Sequence, residues 1–136
     1  MVIQSGTFQR PLAVMMRRTL RTISPDASLL EVAKLMRETK VGAVLVQEAG
    51  HYSGIVSESD LVRKGMAESC PAQETLVRAV MSSPLLSIEI TSSAHEASEK
   101  MAEHGIRHLA ISEEGQIVGM ISVRDLLRYF KNWGGL

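Results

Sequence analysis

Apolar and polar positions along the chain follow two periods in turn, and the whole succession is written twice. Leu29, Val32, Ala33 and Met36 recur at three- and four-residue spacing, which predicts an amphipathic helix with one apolar face. Ala94, Ala97 and Met101 predict a second helix of the same kind. Each opens on a Ser-x-x-Glu box, Ser28 to Glu31 and Ser93 to Glu96, whose side chains satisfy free N–H groups of the first turn. Lys40-Val41-Gly42 and Gly105 end these helices, and a short strand precedes each, at 21–24 and 86–90. The apolar runs at 43–46 and 109–111 are too short for helices and suit buried strands. Turns at Gly50 and Gly115 lead into third strands at 53–56 and 117–121. A last helix is predicted from Ser57 and again from Ser122.

The two halves align without a gap at an offset of 65. Between Met16 and Arg63, 14 of 48 positions are identical to their counterparts. A fixed period this long marks a duplicated structural unit. The strongest match pairs GIVSESDL, Gly54–Leu61, with GMISVRDL, Gly119–Leu126. Each unit therefore reads strand–helix–strand–strand–helix over about 50 residues, too few to be stable alone. Two copies stacked sheet on sheet would bury a shared core. The predicted fold class is α/β, or α+β by stricter naming, with two tandem repeats forming one pseudo-twofold module. The expected organisation is an N-terminal segment 1–11, repeat 12–66, a polar linker 67–76 containing Pro71, repeat 77–131 and a tail 132–136.

Composition narrows the function classes. Hydrophobic residues make up 45% and charged residues 22%, enough apolar surface to offset the entropy of ordering. Aromatics are only 4%, so Leu, Ile, Val, Ala and the eight Met must build the core. Fifteen basic residues balance fifteen acidic ones, and no global field draws the chain to nucleic acid or anionic membrane. One cysteine, Cys70, excludes an internal disulfide framework and suits a reducing compartment. No apolar run reaches the roughly 18 residues of a membrane span. The start MVIQSGTFQR lacks a signal-peptide core, and the expected location is cytoplasmic.

Both copies place Ser-x-x-Asp where a strand turns into a helix. One reading is a cap alone, with Ser57 and Ser122 at the N-cap and Asp60 and Asp125 in the first turn. The other is a nucleotide site. Free N–H groups at a helix start favour phosphate, and a carboxylate can accept both hydrogens of a ribose diol. Gly54 and Gly119 would let a ligand approach the backbone closely.

The doubled strand–helix–strand–strand–helix order, with "G-h-h-S-x-x-D-L" in each copy, resembles the cystathionine β-synthase (CBS) domain pair. TISPDASLLEVAKLM resembles the first strand and helix of that family, and GIRHLAI its middle strand. The resemblance implies a regulatory module, not an enzyme. It would bind AMP, ADP, ATP or S-adenosylmethionine between the repeats and pass nucleotide status to a protein partner through their relative movement. It also implies a homodimer, no required cofactor and no membrane. Carried over by position, Asp60 and Asp125 would hold ribose hydroxyls, and Ser57 and Ser122 would contact ribose or phosphate. Arg107, His108 and Arg124 would meet phosphates, and backbone groups near Gly42 and Ala43, and at 106–109, would read adenine. Repeat one has Gly42, Ala43 and Ser59 where repeat two has Arg107, His108 and Arg124, so the Asp125 site is expected to be the tighter. A constitutive scaffold with the same fold and no nucleotide is the alternative.

Other constellations carry less. His104 and His108 have the spacing of a helical metal pair, but Gly105 and Ile106 end the helix between them. Cys70 reads as an exposed thiol with nothing to lower its pKa. Arg17, Arg18 and Arg21 form a solvated face or reach ligand phosphates; a nucleic-acid contact is the weakest reading. Tyr129, Phe130 and Trp133 either form an exposed partner contact or pack on the core.

Overall fold

The computed structural model describes residues 11–132. Helix α1 (Pro11–Met15) is followed by β1 (Thr22–Ile23), α2 (Leu29–Thr39), β2 (Ala43–Glu48), β3 (His51–Ser57) and a single turn, α3 (Glu58–Asp60). The second copy runs β4 (Ser87–Glu89), α4 (Ala94–His104), β5 (His108–Glu113), β6 (Gln116–Ser122) and α5 (Val123–Asn132). Strand β1 pairs parallel with β2, and β2 antiparallel with β3; β4, β5 and β6 repeat that three-stranded sheet. The architecture is α+β, two tandem copies of one unit.

The local causes are those of the sequence pattern. The Ser93 hydroxyl accepts the Glu96 N–H at 3.0 Å, and the Glu96 carboxylate accepts the Ser93 N–H at 2.8 Å. That backbone bond, then the hydroxyl, holds the Glu96 carboxyl below its ordinary value of 4.5. At Ser28 the serine half of the box forms, with Glu31 N–H donating at 3.1 Å. Lys40 and Gly105 close the two helices in the left-handed region, at φ 58° and 62°. Both hairpins turn on two residues with positive φ, Ala49-Gly50 (52°, 80°) and Glu114-Gly115 (51°, 79°). Such a pair matches the twist of the flanking strands.

The chain divides into two compact units. One is residues 21–85, with a core of Leu29, Val32, Met36, Val44, Val46, Val56, Val77 and Val80. Of the described residues, the other holds 86–132 with 11–20, and its core includes Leu12, Met16, Ala97, Met101, Leu109, Ile111, Ile121 and Leu126. Each unit thus has its own hydrophobic cluster. Leu45 and Ala110, on the opposite faces of β2 and β5, are fully buried as well.

The division cuts across the repeats in one respect. The segment leading into each repeat packs in the unit that holds the other repeat's sheet. Arg17 and Met120 exchange backbone hydrogen bonds at 2.8 and 2.9 Å, and Ser82 and Ile55 do so at 2.8 and 2.9 Å. Positions 17 and 82 are counterparts at the offset of 65, as are 55 and 120. The neighbouring glycines explain themselves here. A Cβ at Gly54 would collide with the Ser82 carbonyl oxygen, and one at Gly119 would lie 2.6 Å from Met16 Sδ and 3.0 Å from the Arg17 carbonyl oxygen. The close approach that needs glycine is made by the chain's own leader segment, which corrects the expectation that a ligand requires it.

The last helices differ between copies. After α3 the backbone widens into a π-turn, Leu61–Gly65, and ends in a 3-10 turn, Met66–Glu68. Its counterpart α5 is one regular helix. Gly65 abuts α2, where a Cβ would stand 3.0 Å from Leu29 Cδ1; position 130 holds Phe instead. Cys70 is half-buried against the first core, its thiol 3.6 Å from the Lys64 carbonyl oxygen, and is not the exposed thiol expected. Tyr129 and Phe130 pack on the second core with rings edge to face at 5.6 Å; Trp133 and the N-terminal segment 1–10 lie outside the described residues.

Gly54→Ala must push apart two backbone segments, and overpacking of this kind costs about 1–3 kcal/mol. Its Tm is expected to fall by several degrees. Gly119→Ala, whose nearest obstacle is the flexible Met16 side chain, falls less. Thermal unfolding of the two variants checks this, and an unchanged Tm for Gly54→Ala contradicts it.

Candidate functional site

Each Ser-x-x-Asp turn is built in the same way. The serine ends the third strand, and its hydroxyl accepts the aspartate N–H, at 3.1 Å for Ser57–Asp60 and 3.2 Å for Ser122–Asp125. The aspartate Oδ2 in return accepts the serine N–H, at 3.0 and 2.9 Å. The next residue ties the turn to the middle strand: Glu58 N–H donates to Gly42 O at 3.0 Å, and Val123 N–H to Arg107 O at 2.9 Å. In the sheets Ala43 stands opposite Ser57, and His108 opposite Ser122. The structure therefore gathers Gly42, Ala43, Ser57 and Asp60 in one unit, and Arg107, His108, Ser122, Arg124 and Asp125 in the other. Both aspartates are buried; Arg107 and Arg124 are exposed, and His108 is half-buried.

The two carboxylates then part ways. At Asp60 both oxygens are occupied. Lys64 Nζ lies 3.0 Å from Oδ1, and the Ser82 hydroxyl donates to Oδ1 at 3.1 Å, with Oδ2 at 3.3 Å. Lys64 also donates to Ser82 Oγ at 3.2 Å. At Asp125 the contacts fall on Oδ2, which accepts from the Ser122 N–H and, at 3.0 Å, from the Ser122 hydroxyl. Its Oδ1 faces the half-exposed Arg17, whose Nε is 3.8 Å away and too far for a hydrogen bond. Among the described residues, Asp125 Oδ1 is a buried carboxylate oxygen with no hydrogen-bond donor.

Sequence reasoning missed Lys64, Ser82 and the particular place of Arg17. Lys64 carried a weak signal, four residues past Asp60 at ion-pairing distance on a helix. Ser82 and Arg17 carried another, since each follows a matched methionine, Met81 and Met16. Among the described residues no group of three His, Cys, Asp or Glu side chains could hold a metal ion. The helix over His104 ends at Gly105, and His104 Nδ1 contacts the Lys100 carbonyl oxygen at 2.9 Å. Among the described residues, no helix is long and apolar enough to cross a membrane.

Two sheets of this topology, each with an aspartate turn after its third strand, define a tandem module. The CBS domain family matches residues 12–67 and 77–132, and the chain belongs to it. It is 35% identical, over 82% of its length and 79% of the relative's, to the CBS domain-containing protein YhcV of Bacillus subtilis. Among solved structures it is similar to an uncharacterized conserved protein from Pyrococcus horikoshii, with TM-score 0.81, 33% identity and 89% and 92% of the two chains covered. It shares the fold of the CBS domain protein PAE2072 from Pyrobaculum aerophilum, complexed with AMP, at TM-score 0.75 and 24% identity, covering 88% and 97%. Other curated relatives are longer: the chain spans 58% and 64% of two of them.

Removing Asp60 strands the Ser57 N–H, the Ser82 hydroxyl and the Lys64 ammonium together, whereas removing Asp125 chiefly undoes a cap. Asp60→Ala is expected to cost about 2–3 kcal/mol and Asp125→Ala about 1 kcal/mol. Urea unfolding measures both, and equal losses contradict the difference in their surroundings.

Proposed function

We propose that the chain is a regulatory module that binds an adenosyl ligand at the Asp125 turn and is not an enzyme. The observation that carries this reading is Asp125 Oδ1, a buried acceptor without a hydrogen-bond donor among the described residues, at the position where the family resemblance puts a ribose diol. A buried polar atom left unpaired is costly, and a diol hydroxyl would pair it. The exposed guanidinium groups of Arg107 and Arg124 flank the same turn, so a phosphate has cations to meet. Arg17 adds a third. The AMP held by the Pyrobaculum aerophilum protein supports a nucleotide monophosphate as one candidate; ADP, ATP and S-adenosylmethionine share the adenosine half. Occupancy would bias the module between states that differ in ligand affinity, and a partner protein would read the balance. A homodimer is the assembly this reading favours.

For the Asp60 turn a second reading is better supported. Its carboxylate is fully paired within the chain, and the turn acts there as a cap and a tie to the leader segment.

Thermal unfolding with AMP, ADP, ATP and S-adenosylmethionine tests the proposal. A ligand at about 100 times its Kd stabilises by about 2.7 kcal/mol, a rise in Tm on the order of 3–6 °C for a chain of this size. One of the four is expected to give that rise in the wild type, and Asp125→Asn is expected to abolish it. No rise with any ligand leaves the scaffold reading in its place.

A further inference from the structure

We propose that Lys64 decides which copy of the Ser-x-x-Asp turn takes ligand, by serving as a built-in counter-ion that closes the Asp60 carboxylate. The inference rests on the adenosyl reading of the turn and adds what controls it. Three side chains form a closed triangle: Lys64 Nζ on Asp60 Oδ1 at 3.0 Å, Lys64 Nζ on Ser82 Oγ at 3.2 Å, and Ser82 Oγ on Asp60 Oδ1 at 3.1 Å. A ribose diol needs the oxygen that this triangle already occupies. To enter, it must displace from a buried carboxylate both an ammonium, itself half-exposed, and a hydroxyl at once.

The other copy lacks the lysine and the serine hydroxyl, and its one cation near the carboxylate makes no hydrogen bond to it. The counterpart of Lys64 is Tyr129, which carries no ammonium, and the counterpart of Ser82 is Arg17, whose Nε stays 3.8 Å from Asp125 Oδ1. Backbone geometry adds to the difference. Lys64 lies in the π-turn Leu61–Gly65, one turn beyond Asp60, and the i,i+4 pair forms there. Position 130, in the regular helix α5, holds Phe where the π-turn ends on Gly65. The duplicated motif has thus separated into an open carboxylate and one closed from within.

Isothermal titration with AMP, ATP and S-adenosylmethionine, run on the wild type, Lys64→Met, Lys64→Arg and Lys64→Met/Asp60→Asn, tests this. Methionine keeps a hydrocarbon stem and removes the charge; arginine keeps the charge. The wild type is expected to bind one ligand per chain and Lys64→Met two, the second at least tenfold tighter than any residual site in the wild type. Lys64→Arg and the double variant are expected to return to one. Unchanged affinity at the first site reports that each variant is folded. One site in Lys64→Met, or two in the wild type, overturns the role of Lys64 while leaving the Asp125 site standing. No binding of any of the three ligands by any protein overturns the adenosyl reading and this inference with it.

Discussion

A carboxylate has two oxygens, and each Ser-x-x-Asp turn commits one of them to its own backbone. Oδ2 of Asp60 and of Asp125 accepts the serine N–H, and this bond lets a strand turn into a helix within one residue. The two carboxylates differ in what reaches the other oxygen. In the first copy a lysine and a serine hydroxyl reach it; in the second a guanidinium stands 3.8 Å away, within ion-pair reach but too far to hydrogen-bond. The cap and the ligand site are therefore not competing readings of the motif. The cap is the common frame, and binding depends on the oxygen the frame leaves over.

The leader segments link that oxygen to the rest of the fold. Each crosses the third strand of a sheet at a glycine and delivers one side chain, Ser82 or Arg17, to the aspartate. Substitution at one leader position thus changes the electrostatics of a site without touching the strands or the core. Around the turns the copies differ at Arg17 and Ser82, Gly42 and Arg107, Ala43 and His108, Glu58 and Val123, Ser59 and Arg124, and Lys64 and Tyr129. The serine, the aspartate and the glycine under the crossing are the same in both copies.

Local physics was legible in the sequence and long-range pairing was not. Helix periodicity, the Ser93 box, the helix-ending Lys40 and Gly105 and the two hairpin glycines act within a few residues of one another, and the structure places them as read. The Ser-x-x-Asp turns were legible for the same reason. The crossing of the leader over β3 or β6 joins residues 27 and 103 positions apart, which no periodicity encodes, so from sequence alone Gly54 and Gly119 read as room for a ligand. The π-turn depends on Gly65 fitting against Leu29, again a contact between elements. Lys64 lay within reach of a spacing argument, but its meaning required Ser82, and Ser82 reaches Asp60 only through that crossing.

The most direct test of this account is a backbone amide titration of the wild-type protein with AMP, followed residue by residue by NMR. The account predicts saturable shifts at Arg107, Ser122, Arg124 and Asp125, with Ser57 and Asp60 unmoved at the same ligand concentration. Saturable shifts centred on Ser57 and Asp60, or none at either turn, would contradict it.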